Sequence, residues 1–97
     1  MAFTVRQLES FARWHQSIID LKARVAIARR IDRAETGNLG DCKSVGDGVA
    51  EMRIDVGAGY RVFYTMRDRT IVFLLAGGTK KTQDADIKRA KKLAAEI

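Results

Sequence analysis

The chain has no proline, one cysteine, one histidine and one tryptophan, and at 97 residues it is short. A lone Cys42 cannot form an internal disulfide, and with His15 the sole histidine there is no Cys/His cluster to hold a metal ion. One histidine on the apolar side of a helical pattern also leaves no Ser/His/Asp triad, so His15 reads as a packed or half-buried core residue and not a general base. The longest apolar run, Ile71 to Ala76, falls far short of the roughly 20 residues that span a bilayer. A soluble, cytoplasmic protein is expected. The length allows one domain over residues 1–97, and 46% apolar residues is ordinary globular content. There are no internal repeats and no low-complexity segments.

What is plentiful is positive charge, 18 Lys plus Arg against 12 Asp plus Glu, for a net +6. It is unevenly placed. Residues 21–36 carry five bases and two acids, residues 37–60 two bases and four acids, and residues 61–97 nine bases and four acids. Such clustering suits a polyanion or an acidic partner, although solvated helix faces carry Lys and Arg for solubility alone.

Thr4 to Gln7 fits a capping box ahead of Leu8, Phe11, Ala12, His15 and Ile19 at helical spacing, which predicts a helix over 5–17 and allows a short strand at Ala2 to Thr4. Asp20 can cap a second helix, with Leu21, Val25, Ala28 and Ile31 on its apolar face and Gly37 as its stop. The glycine-rich stretch from Asn38 to Gly48 reads as loop. Val49 to Val56 alternates as a strand, Gly57-Ala-Gly59 turns it, and Tyr60 to Met66 returns. A symmetric closure sets Val56 opposite Tyr60, Ile54 opposite Val62 and Met52 opposite Tyr64. The other face then carries Glu51, Arg53 and Asp55 with Arg61, Phe63 and Thr65. Arg67-Asp-Arg69 turns into the apolar strand from Ile71, which Gly77-Gly78 should end. A last helix follows Thr82 as cap, with Ile87, Ala90, Leu93 or Ala94, and Ile97 as its stripe. The expected fold is α+β, a helical hairpin packed on a small twisted antiparallel sheet of three to four strands with a C-terminal helix.

Cys42 reads as an incidental thiol, and Gly77-Gly-Thr-Lys-Lys81 lacks the spacing of a phosphate loop. The remaining chemistry is cationic: Arg53 and Arg61 share a strand face, and Lys80 and Lys81 leave the neighbouring strand. Arginine offers a planar fork for phosphoryl oxygens, and a lysine among other cations can exchange a proton. RNA brings its own nucleophile, the 2′-hydroxyl, so a protein need only align it, stabilise the developing charge and manage protons, without a metal. Arg61, Lys80 and Glu51 are the catalytic candidates, with Glu51 as base. Tyr64 or a lysine could donate the proton, but Tyr64 falls on the apolar face and reads better as core. Arg53, Lys81 and Lys43 are the candidate substrate contacts. No metal or cofactor is expected.

The segments Gly37-Asn-Leu-Gly-Asp41, Gly48-Val-Ala-Glu-Met-Arg53, Gly57-Ala-Gly-Tyr-Arg-Val62, Leu74-Leu-Ala-Gly-Gly78, Lys80, Gln83 and Asp86-Ile-Lys-Arg-Ala90, in this order, closely resemble the HigB-like "addiction module killer" branch of the RelE/ParE toxin superfamily. The resemblance spans nearly the whole chain. It implies the toxin of a type II toxin-antitoxin system, masked by an antitoxin that is typically a helix-turn-helix DNA-binding protein. RelE- and HigB-type members are ribosome-dependent endoribonucleases that cut mRNA by 2′-hydroxyl attack. The resemblance also implies a phosphate-stabilising role for Arg61 and a basic site residue at Lys80 or Lys81. On the preceding strand only Arg53 stands where RelE-like toxins carry lysines. ParE-type relatives share the fold but inhibit DNA gyrase, so a gyrase inhibitor and an inactive regulatory binding module stay open.

Overall fold

The computed structural model describes residues 2–97 and begins with a strand, β1 (Thr4–Gln7). The expected capping box is therefore absent: Thr4 N donates to Thr70 O at 2.8 Å as β1 joins the sheet, and α1 (Glu9–Ser17) starts at Leu8 with no side-chain cap. Pairing satisfies the backbone donors that a helical turn would leave free and lays Val5 against the core.

Asp20 caps α2 (Leu21–Glu35) as expected, accepting from the amides of Lys22 and Ala23. The buried face of α2, however, is Ala23, Ile27, Ile31 and Ala34, while Leu21 and Val25 are exposed. Two apolar stripes run along this helix, and the one with alanines near both ends packs inward, where a small side chain permits close approach.

The segment read as loop contains β2 (Cys42–Gly46), an edge strand antiparallel to β3 (Val49–Ile54). Glycines and polar residues are tolerated there because an edge strand is half solvated. β3 pairs with β4 (Tyr60–Arg67), but with Ile54 opposite Tyr60, Met52 opposite Val62 and Ala50 opposite Tyr64, two residues from the symmetric closure. The turn is longer than expected: Val56 and Gly59 bond within it, and Gly57 and Gly59 take positive φ. A shift of two preserves every facing, so Glu51, Arg53, Arg61, Phe63 and Thr65 do share one side.

β5 (Ile71–Thr79) lies between β1 and β4 in a five-stranded mixed sheet of order β1-β5-β4-β3-β2, one strand more than the expected maximum, with β1 parallel to β5. It is interior, as its apolar run implies. Gly77 and Gly78 do not end it. A Cβ on Gly77 would lie 2.1 Å from the Trp14 ring, and one on Gly78 1.7 Å from Asp86 Oδ2, so these glycines let a helix press on each face of the strand. After β5 a short 3₁₀ turn (Lys80–Thr82), capped by Thr79, leads into α3 (Gln83–Ala95). Thr82 makes no side-chain cap bond to the helix backbone and instead donates to Asp86.

Two cores result. Phe11, Ile27, Met52, Val62, Tyr64 and Leu74 fill the side covered by α1 and α2; Val49, Phe63, Leu75, Ala76, Ala90 and Ala94 fill the side covered by α3. Ile97, expected in the α3 stripe, is half exposed past the helix end. Among the described residues no helix is long and apolar enough to cross a membrane.

Candidate functional site

The sheet face beneath α3 carries the polar set, and the strand registers place it in two rows. Lys43 on β2 stands opposite Glu51, and Glu51 opposite Phe63. In the next row Arg53 stands opposite Arg61, which faces Gly78 on β5. Two arginines directly opposed on one face repel each other, a cost that needs acids or a bound anion to offset it.

Acids meet part of that cost. Arg61 Nε lies 3.9 Å from Glu51 Oε2, with the two side chains 10% and 2% exposed. Nε has no hydrogen-bond partner, and Nη1 donates to the Tyr60 carbonyl at 3.2 Å. Glu51 is in turn held by Gln83 at the start of α3, whose amide nitrogen donates to Oε2 at 2.9 Å and Oε1 at 3.1 Å. Arg53 pairs with Asp41 at 2.9 Å near the surface, and that hydrogen bond and charge hold its pKa above the ordinary arginine value.

Lys80 reaches the same place from β5. Its amide donates to Gly59 O at 2.8 Å, and a Cβ on Gly59 would lie 3.6 Å from Lys80 Cβ and 3.9 Å from Arg61 Nη1. Gly59 is therefore the shared floor between Arg61 and Lys80. Lys80 and Lys81 are exposed and line, with Thr82, Gln83, Asp84 and Ala85, an open depression of about 470 Å³. Neither lysine, nor Lys43, takes part in an ion pair among the described residues.

The structure thus brings Arg53, Arg61, Glu51 and Lys43 together on one face, with Lys80 across Gly59 from Arg61 and Lys81 exposed beside it. Tyr64 points into the opposite core, where burial, and then the neighbouring Cys42 thiol, push its pKa up. It is a core residue. The residue that sequence reasoning did not assign to the site is Gln83, although it stands among the residues of the family resemblance and a buried carboxylate at Glu51 requires a donor. His15 is half-buried and stacked on Phe11, with Nε2 3.0 Å from Arg24 O.

A sheet of this order, with two helices on one face and one on the other, defines the RelE-like toxin fold. A mutant of the E. coli toxin RelE in the free state matches with a TM-score of 0.74 at 18% identity, over 95% of this chain and 97% of that one. A chain of the toxin-antitoxin complex RelBE2 from Mycobacterium tuberculosis matches with a TM-score of 0.65 at 20% identity, over 82% of this chain and all of that one. Residues 17–96 match the family model described as phage derived protein Gp49-like, and the chain belongs to that family. An uncharacterized protein of Haemophilus influenzae is 45% identical over 97 residues, 100% of this chain and 98% of that protein.

Proposed function

We propose that this protein is the toxin of a type II toxin-antitoxin system and that it blocks translation by cutting mRNA on the ribosome, in the cytoplasm. The observation that carries the reading is the arginine pair: Arg53 and the largely buried Arg61 stand opposite each other on a RelE-like sheet, and both Arg61 and the exposed Lys80 border Gly59. A phosphate relieves the repulsion that this arrangement builds in.

In the proposed step the RNA 2′-oxygen bonds to the adjacent phosphorus and the bond from phosphorus to the 5′-oxygen breaks. A 2′,3′-cyclic phosphate and a 5′-hydroxyl result. Arg61 and Lys81 stabilise the charge on the non-bridging oxygens, Arg53 and Lys43 hold flanking phosphates, and the Lys80 ammonium gives its proton to the departing 5′-oxygen. The 2′-hydroxyl proton passes to water. Glu51, buried with both oxygens bonded to Gln83, enters this reading as a positioning residue that orients Arg61, in place of the base expected from sequence. A cognate antitoxin, a helix-turn-helix DNA-binding protein, masks the toxin.

The test is expression without the antitoxin, followed by growth measurement and mapping of mRNA 5′ ends. The wild type should arrest growth and leave discrete cuts, and Arg61→Ala should lose cleavage about 100-fold or more, the scale of removing one charge stabiliser. Growth arrest with intact transcripts would refute the nuclease, and inhibited supercoiling by purified gyrase would then identify the other target.

A further inference from the structure

Of the four large apolar side chains that stay exposed among the described residues, Ile19, Leu21, Val25 and Ile97, three fall within seven residues of one another. Ile19 is 97% exposed, Leu21 68% and Val25 42%. Ile19 precedes α2, Leu21 and Val25 lie in its first turns opposite its buried face, and two shallow grooves of about 330 and 250 Å³ share Leu21 and Val25 as walls. Exposed apolar side chains grouped in this way on a small domain mark an interaction site more often than chance.

The rim identifies the occupant. Lys22, Arg24 and Arg29 line these grooves with His15, no acidic residue lines either, and none of the three bases joins an ion pair among the described residues. A second copy of this chain would bring the same bases face to face, and RNA would gain nothing from the apolar floor. What fits both features is an amphipathic helix with Leu, Ile or Val at three- and four-residue spacing, flanked by Asp and Glu.

We infer that the Leu21–Val25 face of α2 is the docking surface for an acidic amphipathic helix of the antitoxin. This rests on the toxin reading above. The surface lies on the face of the sheet opposite Arg61 and Lys80. An antitoxin anchored here holds the toxin without competing for the phosphate site, and another segment must do the masking.

The test uses the purified product of the adjacent antitoxin gene and the double variant Leu21→Glu, Val25→Glu. Both positions are exposed, and an acid in the first turn of α2 suits the helix dipole, so the variant should melt close to the wild type. Its affinity for the antitoxin should fall roughly 100-fold, the scale of losing central apolar anchors. Alone it should arrest growth as the wild type does, and co-expressed antitoxin should no longer neutralise it. Unchanged antitoxin affinity overturns the inference. So does a concentration-dependent dimer, or binding to phosphatidylglycerol vesicles, that the substitutions abolish while antitoxin binding persists. If the wild type neither arrests growth nor binds the antitoxin, the toxin reading fails first, a result distinct from intact binding by the double variant.

Discussion

Gln83 donates its side-chain amide to both oxygens of Glu51, at 2.9 and 3.1 Å, and so ties the first turn of α3 to the middle of β3. The carboxylate it holds is almost fully buried and faces the Arg61 guanidinium. Removing the amide leaves a buried charge short of donors and lets α3 lift from the rim where Lys80 and Lys81 stand. Gln83→Leu should therefore cost about 1–3 kcal/mol of stability and reduce the mRNA cleavage proposed above, with Gln83→Asn restoring part of each. Urea unfolding and end-mapping on the same variants separate the two effects; cleavage unchanged in a destabilised variant would confine Gln83 to folding.

Gly77 and Gly78 sit at the crowded end of β5, one under Trp14 and the other under Asp86 and Thr82. A methyl group at either must displace a neighbour. Gly77→Ala should cost about 1–3 kcal/mol through overpacking and shift the emission of Trp14, the only tryptophan. Gly78→Ala should cost a similar amount while leaving the fluorescence alone, because the displaced group is the Asp86–Thr82 hydrogen bond on the other face. Thermal melts with fluorescence detection distinguish the pair.

Arg30 looks like one more base on a basic helix, yet its guanidinium donates to the carbonyls of Arg53 at 2.6 Å, Leu39 at 3.0 Å and Asp41 at 3.2 Å. It fastens the 38–41 loop to β3 and so places Asp41 against Arg53. Arg30→Ala should lose about 1–3 kcal/mol for carbonyls left short of donors. Arg29→Ala, next to it but exposed, should stay within about 0.5 kcal/mol. Arg30→Lys should recover little, since an ammonium cannot fork to three separated oxygens.

These residues show why some of the structure was legible in the sequence and some was not. The strand alternation assigned Glu51, Arg53 and Arg61 to one face although the expected pairing was off by two, because an even slip leaves every side chain on its side. The face of α2 was not legible. Leu21, Val25 and Ala28 form as good a stripe as Ala23, Ile27 and Ile31, and only the fit against the sheet selects between them. Net charge misled in a similar way: Arg30 and Arg67 count as bases, but both donate to backbone carbonyls, Arg67 to Ala94 at 3.0 Å at the end of α3. β1 runs from Thr4 to Gln7, past the short strand allowed at Ala2 to Thr4, and its last three residues were expected in helix; it is held by pairing with a strand near the far end of the chain.

Tyr64 is buried in the core beneath α1 and α2. Burial, then the Cys42 thiol, raise its pKa above the usual 10.0, so the fold favours the neutral phenol. A group whose pKa is raised in the folded state contributes stability below its unfolded pKa and loses it as pH climbs from there towards the folded value. Stability should therefore drop above about pH 10 as the unfolded chain gives up a proton that the native chain keeps, at up to about 1.4 kcal/mol per pH unit for one group. Lysines also titrate in that range, so the informative quantity is the difference between wild type and Tyr64→Phe. Urea unfolding from pH 8 to 11 should show the two proteins running parallel to about pH 9.5, after which Tyr64→Phe declines less steeply because it has no proton to lose. Parallel curves throughout would mean that the Tyr64 hydroxyl meets solvent in the native state.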